Sequence, residues 1–228
     1  MKYGIIGAME EEVAYVKAHM DDLEESIIAN CTFYSGTIEG KEVVLLQSGI
    51  GKVNAAMATT ILMERYNPDL VINTGSAGGF SDNLSVGDLV ISDEVVHHDV
   101  DATAFQYSYG QVPKMPPTYQ ADAALIEKVS QHLKAMSLPF AIGLIATGDS
   151  FMSDANRVHF VKEKFPNLLA AEMEGAAIAQ VCYQYDVPFI IIRALSDIAG
   201  QDSAVSFDQF LKTAAKNSSD LILRIIKE

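Results

Sequence analysis

The chain has 228 residues, a length that suits one large α/β domain better than two small ones. Its apolar fraction of 49% and its seven prolines exclude an intrinsically disordered protein. A formal charge of −14 disfavours binding to nucleic acid or to an anionic membrane, because both require a basic surface.

The cysteines and the N-terminal segment are typical of a protein of the reducing cytoplasm. Cys31 and Cys182 lie far apart in apolar surroundings, which is neither a disulfide framework nor a zinc-ligand spacing. The chain becomes acidic at 10–12, before an apolar segment of signal-peptide length could form. No apolar run approaches the length of a transmembrane helix. We therefore expect a soluble cytoplasmic protein.

Apolar runs alternate with amphipathic segments along the chain, and the pattern predicts strands alternating with helices. In chain order these are strand Tyr3–Ala8, helix Glu10–Met20, strands Thr32–Ile38 and Glu42–Gln47, helix Val53–Arg65, strand Leu70–Thr74, strand Gly87–Val96, an irregular stretch His97–Tyr119, helix Ala121–Met136, strand Phe140–Ala146, helix Gly175–Tyr185, strand Pro188–Ala194 and a final helix over about Ser206–Ile226.

This alternation predicts one α/β domain with a sheet covered by helices on both faces. Glu39-Gly40-Lys41 joins two of the strands as a hairpin, so the sheet is mixed. Ligands bind beyond the carboxyl ends of the strands in such folds. The segments of interest therefore follow the strands, at 9–12, 48–51, 75–79, 147–152 and 196–197.

Two glycine-rich segments lie among these strand ends. Ser48–Lys52 matches neither a P-loop nor a dinucleotide fingerprint, since Leu46 and Asn54 stand where each pattern requires glycine. A tight turn explains both this segment and Gly75–Gly79. Two such turns at the same end of a sheet nevertheless indicate a ligand that approaches bare backbone.

Acidic residues occur at two of these strand ends, 9–12 and 196–197, and just before the helix Gly175–Tyr185. Glu10–Glu12 opens a helix, where acids commonly complement the helix dipole, and at helical spacing at most two of the three can face the cleft. Glu172 and Glu174 are two apart, so we expect one to face solvent and the other a pocket. Asp197 follows a very apolar strand and fits a turn or cap as well as a site.

Other catalytic chemistries are not indicated. His97 and His98 are adjacent, which points their rings apart, and no HxxxH or HExxH pattern is present. The segment around Ser76 lacks the Gly-x-Ser-x-Gly pattern of a nucleophile elbow. We expect no metal and no cofactor.

Six motifs, in order and spacing, resemble the 5′-methylthioadenosine/S-adenosylhomocysteine nucleosidases. They are 4–12 (GIIGAMEEE), 48–54 (SGIGKVN), 73–79 (NTGSAGG), 148–151 (GDSF), 172–174 (EME) and 193–197 (RALSD). The resemblance covers essentially the whole chain. It implies the fold of the purine nucleoside phosphorylases, a three-layer α/β/α sandwich around a mixed central β-sheet, and a homodimer.

The resemblance also implies hydrolysis of the bond between adenine N9 and ribose C1′, for which it assigns roles. Asp197, positioned by Ser196, would protonate the purine at N7, for which its pKa must be raised. Glu12 would activate water on the opposite face of the sugar. Glu174 would bind the ribose hydroxyls, and Arg193 would orient Glu174 or the water.

Further residues would bind the substrate by the same resemblance. Those of the chain's own site are Ser76, Phe151 and Met152 near the ribose and adenine, with Met9, Ile50, Met173 and Phe207 at the 5′-thioalkyl group. Loop 101–113 would carry Phe105, Tyr107 and Pro113 into the partner's site. Glu172 is left as a bystander, and Ala102 departs from the bulkier valine familiar at this position.

Two alternatives share the fold. A purine nucleoside phosphorylase would need an arginine-lined phosphate site, and the chain has few arginines. A non-catalytic nucleoside-binding protein would not need Glu12, Glu174 and Asp197 together. The sequence therefore favours a hydrolase.

Overall fold

The structure is a computed structural model that describes residues 1–200 and 203–227. Ten strands and six α-helices lie within this part of the chain. Their bounds are β1 (Lys2–Gly7), α1 (Glu10–Lys17), β2 (Asp21–Ile28), β3 (Cys31–Ile38), β4 (Lys41–Gln47), α2 (Lys52–Tyr66), β5 (Leu70–Gly79), β6 (Leu89–His97), β7 (Tyr119–Gln120), α3 (Ala123–Met136), β8 (Phe140–Thr147), α4 (Ala155–Lys164), β9 (Leu168–Glu172), α5 (Gly175–Tyr185), β10 (Phe189–Ile198) and α6 (Ser203–Lys227).

All ten strands belong to one mixed sheet. Strands β4, β1, β5 and β10 pair in parallel, and β2, β3 and β4 form an antiparallel meander at one end. At the other end β5, β10, β6, β8 and β9 pair in succession, and β9 returns to β5, so these five strands close a ring. The ring brings the carboxyl ends of β5, β9 and β10 together.

Side-chain alternation along the buried strands produces three layers. On β1, Ile6 packs into the core beneath α2 and α5, whereas its neighbour Ile5 packs into the opposite core beneath α1, α3 and α6. On β10, Ile191 and Ile192 divide between the two cores in the same way. Both faces of the sheet are therefore buried, which confirms the predicted three-layer α/β/α sandwich around a mixed sheet.

Four of these strands and helices were not predicted. Strand β7 has only two residues and is too short to show a pattern, and each of the other three has its own visible reason. Strand β2 is an acidic and mostly exposed edge strand, so it lacks apolar alternation. Strand β9 has five residues, two of them alanine, and helix α4 buries only Val158 and Val161. The predicted helix from Glu10 was also too long, because α1 ends at Lys17.

Strands β5 and β10 run further than predicted. Their pairing continues to Asp197 opposite Gly78 and Ile198 opposite Gly79. Ser76 and Asp197 therefore lie on strands instead of following them.

Cys31 and Cys182 are free and buried, as predicted. No helix in the described ranges is long and apolar enough to cross a membrane.

Candidate active site

A cavity of about 460 Å³ opens where the strands end. Its walls are mainly apolar, and four carboxyl side chains reach it. The lining residues are Ala8, Met9, Glu12, Ile50, Ser76, Ala77, Gly78, Ser150, Phe151, Met152, Ala171, Glu172, Met173, Glu174, Ser196, Asp197 and Phe207.

Glu12 is fixed between β1 and β5 by hydrogen bonds to both of its oxygens. It stands in the first turn of α1, and its side chain turns back so that Oε2 accepts the backbone N–H groups of Ala8 (2.8 Å) and Met9 (3.2 Å). Oε1 accepts the Ser76 N–H at 3.0 Å and the Ser76 hydroxyl at 3.3 Å. Glu12 is buried while Glu10 and Glu11 are exposed, so one acid of the three enters the site.

Glu172 is not the bystander that the sequence indicated, and the expected division into one solvent-facing and one buried acid is wrong. Glu172 and Glu174 are 6% and 5% exposed. Glu172 ends β9, and its Oε2 accepts the N–H groups of Glu174 (3.0 Å) and Gly175 (2.7 Å) at the start of α5. The chain turns between the two acids, so the rule for a regular element does not apply and both point inward.

Glu172 also holds the buried Arg193. Arg193 Nη2 bonds to Glu172 Oε2 and to Asn73 Oδ1 (2.6 Å), while the Thr147 hydroxyl donates to Glu172 Oε1. Because a buried guanidinium requires a charged partner, the apolar strand around Arg193 was the signal that an acid had to meet it. Sequence reasoning supplied Glu174 as that acid and missed Glu172.

Glu174 lies between the start of α2 and Arg193. The Gly51 N–H donates to its Oε1 at 2.9 Å, and Arg193 Nη2 is 3.6 Å from its Oε2. Burial, followed by the nearby charge of Glu172, raises the pKa of Glu174 to about 8 against the opposing effects of Arg193 and the Gly51 N–H. The raised pKa favours the protonated form of the side chain in the free protein, and a protonated carboxyl can both donate to and accept from hydroxyl groups.

Asp197 owes its position to a bulge in β10. Leu195 pairs with Ala77 and Asp197 with Gly78, so Ser196 is an extra residue that redirects the following side chain. The Ser196 hydroxyl donates to Asp197 Oδ1 at 2.8 Å. Burial raises the pKa of Asp197, and the Ser196 bond offsets part of that rise. A carboxyl with a raised pKa can hold a proton for donation.

The other residues predicted for the chain's own site line the same cavity. They are Met9, Ile50, Ser76, Phe151, Met152, Met173, Ser196 and Phe207. The rings of Phe151 and Phe207 meet edge to face, with centroids 5.9 Å apart.

The residues predicted to serve a partner subunit lie elsewhere. Phe105, Tyr107 and Pro113 belong to the loop 98–118 and are outside the cavity lining in the described part of the chain. Phe105 is 78% exposed. His97 and His98 are buried, and the described residues hold no group of His, Cys, Asp and Glu side chains suited to a metal ion.

The fold and the site place this chain in a broad class of proteins. The phosphorylase superfamily matches residues 2–227, and the chain belongs to it.

Relatives narrow the class. The chain is 61% identical to a 5′-methylthioadenosine/S-adenosylhomocysteine nucleosidase of Oceanobacillus iheyensis over 228 residues, which is 100% of both chains. It is 63% identical to that of Geobacillus thermodenitrificans over 227 residues, 99% of this chain and 96% of that one. The chain belongs to the family of 5′-methylthioadenosine/S-adenosylhomocysteine nucleosidases, as predicted, and it is an enzyme of that class.

Solved structures agree. The Neisseria meningitidis nucleosidase, in complex with methylthio-immucillin-A, superposes with a TM-score of 0.97 at 44% identity and covers 99% of this chain and 98% of its own. The Colwellia psychrerythraea nucleosidase, in complex with adenine, gives a TM-score of 0.95 at 48% identity, with 99% and 94% covered.

Proposed function

We propose that the enzyme hydrolyses the N-glycosidic bond of 5′-methylthioadenosine, S-adenosylhomocysteine and 5′-deoxyadenosine, which releases adenine and the 5-substituted ribose. This activity would recycle by-products of S-adenosylmethionine and salvage methionine. The names of the relatives support the first two of these substrates. The observation that carries the proposal is that Glu12, Glu174 and Asp197, from three separate strand ends, meet in one mainly apolar cavity.

Asp197 is the general acid. Cleavage leaves negative charge on the purine, and a proton delivered to N7 neutralises it. Burial raises the pKa of Asp197, which favours the protonated form that this role requires. The Ser196 hydroxyl donates to Oδ1 of the carboxyl. The second oxygen, Oδ2, lies beside Gly78 and would be the one that faces the purine.

Glu12 is the base that activates water. Four donors hold its carboxylate, and the Ser76 hydroxyl at 3.3 Å is the longest of these contacts. A water beside Ser76 Oγ would replace or share this weak bond and donate to Glu12 Oε1. The backbone N–H groups would keep the base in place while the proton moves.

Glu174 binds the ribose hydroxyls. Its oxygens lie at the Gly51 N–H and near Arg193, which leaves the side chain anchored at one edge of the cavity. Glu174 would release the proton that it holds in the free protein to solvent as substrate binds, before the glycosidic bond breaks. Its carboxylate then stabilises the positive charge that develops on the ribose in the oxocarbenium-like transition state. Arg193 is a positioning residue in this scheme, since Glu172 and Asn73 hold its guanidinium.

The apolar walls bind the two ends of the substrate. Phe151 offers a stacking face to adenine beside Met152. The remaining apolar residues, Met9, Ile50, Met173 and Phe207, form a slot for the 5′-thioalkyl group, where polarizable thioethers suit a sulfur ligand.

The cavity disfavours a phosphorylase. Among the described residues that line it, none is Lys or Arg and four are acidic. Phosphate would meet repulsion there without a cationic partner. The test is to measure adenine release from methylthioadenosine in phosphate-free buffer. We expect full turnover with free methylthioribose as the second product, and turnover that requires phosphate would contradict the proposal.

We further propose that the chain works as a single domain, in the cytoplasm and as a homodimer. The free buried thiols of Cys31 and Cys182 support a reducing compartment. The exposed Phe105, on a loop apart from its own cavity, supports donation of this residue to a partner's site.

A mixing experiment tests the homodimer. A subunit with Asp197→Asn keeps Phe105, and a subunit with Phe105→Ala keeps Asp197. Mixed dimers would hold one site with both residues native, so mixing two weakly active variants should restore activity. The control replaces the first variant by one that carries both substitutions, which should restore none; equal activity in both mixtures would contradict the shared site.

A further inference from the structure

Three charged side chains next to the cavity form a closed ring of hydrogen bonds. Lys52 Nζ contacts Asp99 Oδ1 at 2.5 Å, and Asp99 Oδ2 accepts the N–H of Asp149 at 3.0 Å. Asp149 Oδ1 accepts the backbone N–H of Lys52 at 2.8 Å, which returns to the starting residue. The ring connects the start of α2 with the loops that follow β6 and β8.

This hydrogen-bonded ring lies next to the Gly51 N–H, which anchors Glu174. Gly51, with φ of 94°, directs its N–H to Glu174 Oε1, and the next N–H, that of Lys52, enters the ring. A Cβ on Gly51 would lie 3.0 Å from Asp149 Oδ1, so the two loops touch without spare room. The position of the Glu174 anchor therefore follows the position of the ring.

The ring also adjoins the purine end of the cavity. Asp149 directly precedes Ser150, Phe151 and Met152, which line the cavity. Both the backbone N–H and the carboxylate of Asp149 belong to the ring. Asp149 thus links residues 150–152, at the proposed purine-binding end of the cavity, to the start of α2.

We propose that Lys52, Asp99 and Asp149 are positioning residues that set the distance between the ribose-binding and purine-binding ends of the site. This inference rests on the proposed function. The Lys52 and Asp99 side chains are 20% and 30% exposed, and ion pairs of that exposure add little to stability. Their contribution is geometric, because small misplacements of binding groups cost large factors in rate.

The surroundings of Asp99 favour its charged form. Burial alone would raise the pKa of Asp99, but Lys52 and the Asp149 N–H outweigh it and hold that pKa below its usual range. The lowered pKa favours the ionised form of Asp99, which is the form that accepts from both Lys52 Nζ and the Asp149 N–H.

Each bond of the ring can be opened separately. In Asp99→Asn the single amide oxygen can accept from Lys52 Nζ or from the Asp149 N–H, but the side chain cannot accept from both through separate oxygens. Lys52→Met removes the ammonium group, and Asp149→Ala removes the acceptor for the Lys52 N–H. Two matched variants keep the ring: Lys52→Arg retains the charge, and Asp149→Asn retains an acceptor oxygen. Lys216→Met, which breaks the distant Lys216–Asp220 pair (2.7 Å), controls for loss of a surface ion pair.

The readouts are KM and kcat for methylthioadenosine and the dissociation constant of adenine alone, measured by calorimetry. For the three opening variants we expect KM to rise about tenfold, because the ribose and purine ends no longer match one ligand. Adenine, which touches one end only, should bind within about twofold of wild type. The two matched variants and Lys216→Met should behave as wild type.

Other outcomes separate the hypotheses. Loss of folded protein alone would lower kcat with KM unchanged, and that result in all the opening variants would overturn the positioning role. Equal losses for adenine and for the nucleoside would overturn it as well. Should one variant fail to fold, the other two open the ring at different bonds. A wild-type enzyme that releases no adenine would instead contradict the proposed function.

Discussion

Replacing Glu12 and Asp197 by their amides separates the proton-transfer chemistry from the stability of the fold. Both replacements should impair the reaction, but they should affect the stability of the protein differently. We expect Glu12→Gln and Asp197→Asn each to lower kcat by at least about 10²-fold, since each removes a proton-transfer group. The free energy of unfolding should fall only in the first variant. The difference follows from the number of donors that each carboxyl satisfies.

Glu12 accepts from three backbone N–H groups, of Ala8, Met9 and Ser76, and from one hydroxyl. A glutamine has one acceptor oxygen, so its NH₂ faces at least one buried N–H in either orientation. Leaving a buried donor unsatisfied costs about 1–3 kcal/mol. For a chain of this length each kcal/mol lowers Tm by about 2–4 °C, which predicts a decrease of roughly 2–12 °C.

Asp197 accepts one side-chain bond, from Ser196, and its other oxygen lies beside Gly78 at the cavity. An asparagine keeps that bond and turns its NH₂ toward the cavity. It also removes a carboxyl whose pKa is raised by burial, so no charge has to be buried above that pKa. We expect the Tm of Asp197→Asn to equal or exceed that of wild type.

The assays are adenine release by chromatography and thermal unfolding by calorimetry, on both variants in one phosphate-free buffer. Equal destabilisation of the two variants would contradict the argument that Glu12 satisfies more buried donors than Asp197. Turnover at wild-type rate in either variant would refute the assigned chemistry, whatever the Tm.

Three further predictions concern neighbouring groups. Ser196→Ala removes the bond that lowers the pKa of Asp197, so the loss of activity at high pH should move to higher pH in a pH–rate profile. The pKa of Glu174 is raised to about 8 in the folded protein, against about 4.3 in the unfolded chain. Its contribution to stability is therefore complete below a pH of about 4.3 and is lost as pH rises through about 8. The free energy of unfolding of Glu174→Gln, measured in urea, should exceed that of wild type by an amount that grows across this pH range. Gly75→Ala would place a Cβ against Arg193 Nη1, so we expect a loss of about 1–3 kcal/mol in unfolding free energy together with reduced kcat, and unchanged values for both would contradict the packing.

The sequence predicted the strands that are buried on both faces and the site that they carry. The apolar runs of β1, β5 and β10 specify a sheet with two covered faces, and the rule for strand ends then points to the segments that hold Glu12 and Asp197. Glu174 follows β9, which was not predicted, and was singled out by its apolar neighbours and by the family resemblance. The inferences about the sheet and its strand ends depend on local pattern alone, which is why they could be made from one sequence.

What the sequence did not predict depends on contacts between distant segments. Glu172 was interpreted by the geometry of a regular element, but a strand ends at this residue and a helix begins at Gly175. The bulge at Ser196 appears only when β10 pairs with β5. The hydrogen-bonded ring of Lys52, Asp99 and Asp149 joins the start of α2 to two loops, and a pattern along one segment cannot reveal it.

Closure of the five-stranded ring has a consequence for association between copies. Strand β10 has a partner on each side. Apart from the two-residue β7, which pairs with β6 alone, the long sheet therefore has its free edge at β2 in the described part of the chain. That edge presents the acidic side chains of 21–25, which are exposed. Two copies that approached edge to edge would bring like charges together, a common protection against strand-to-strand aggregation. The fold that assembles the cavity at one end of the sheet thereby leaves a charged edge at the other, where the sheet resists extension by a second chain.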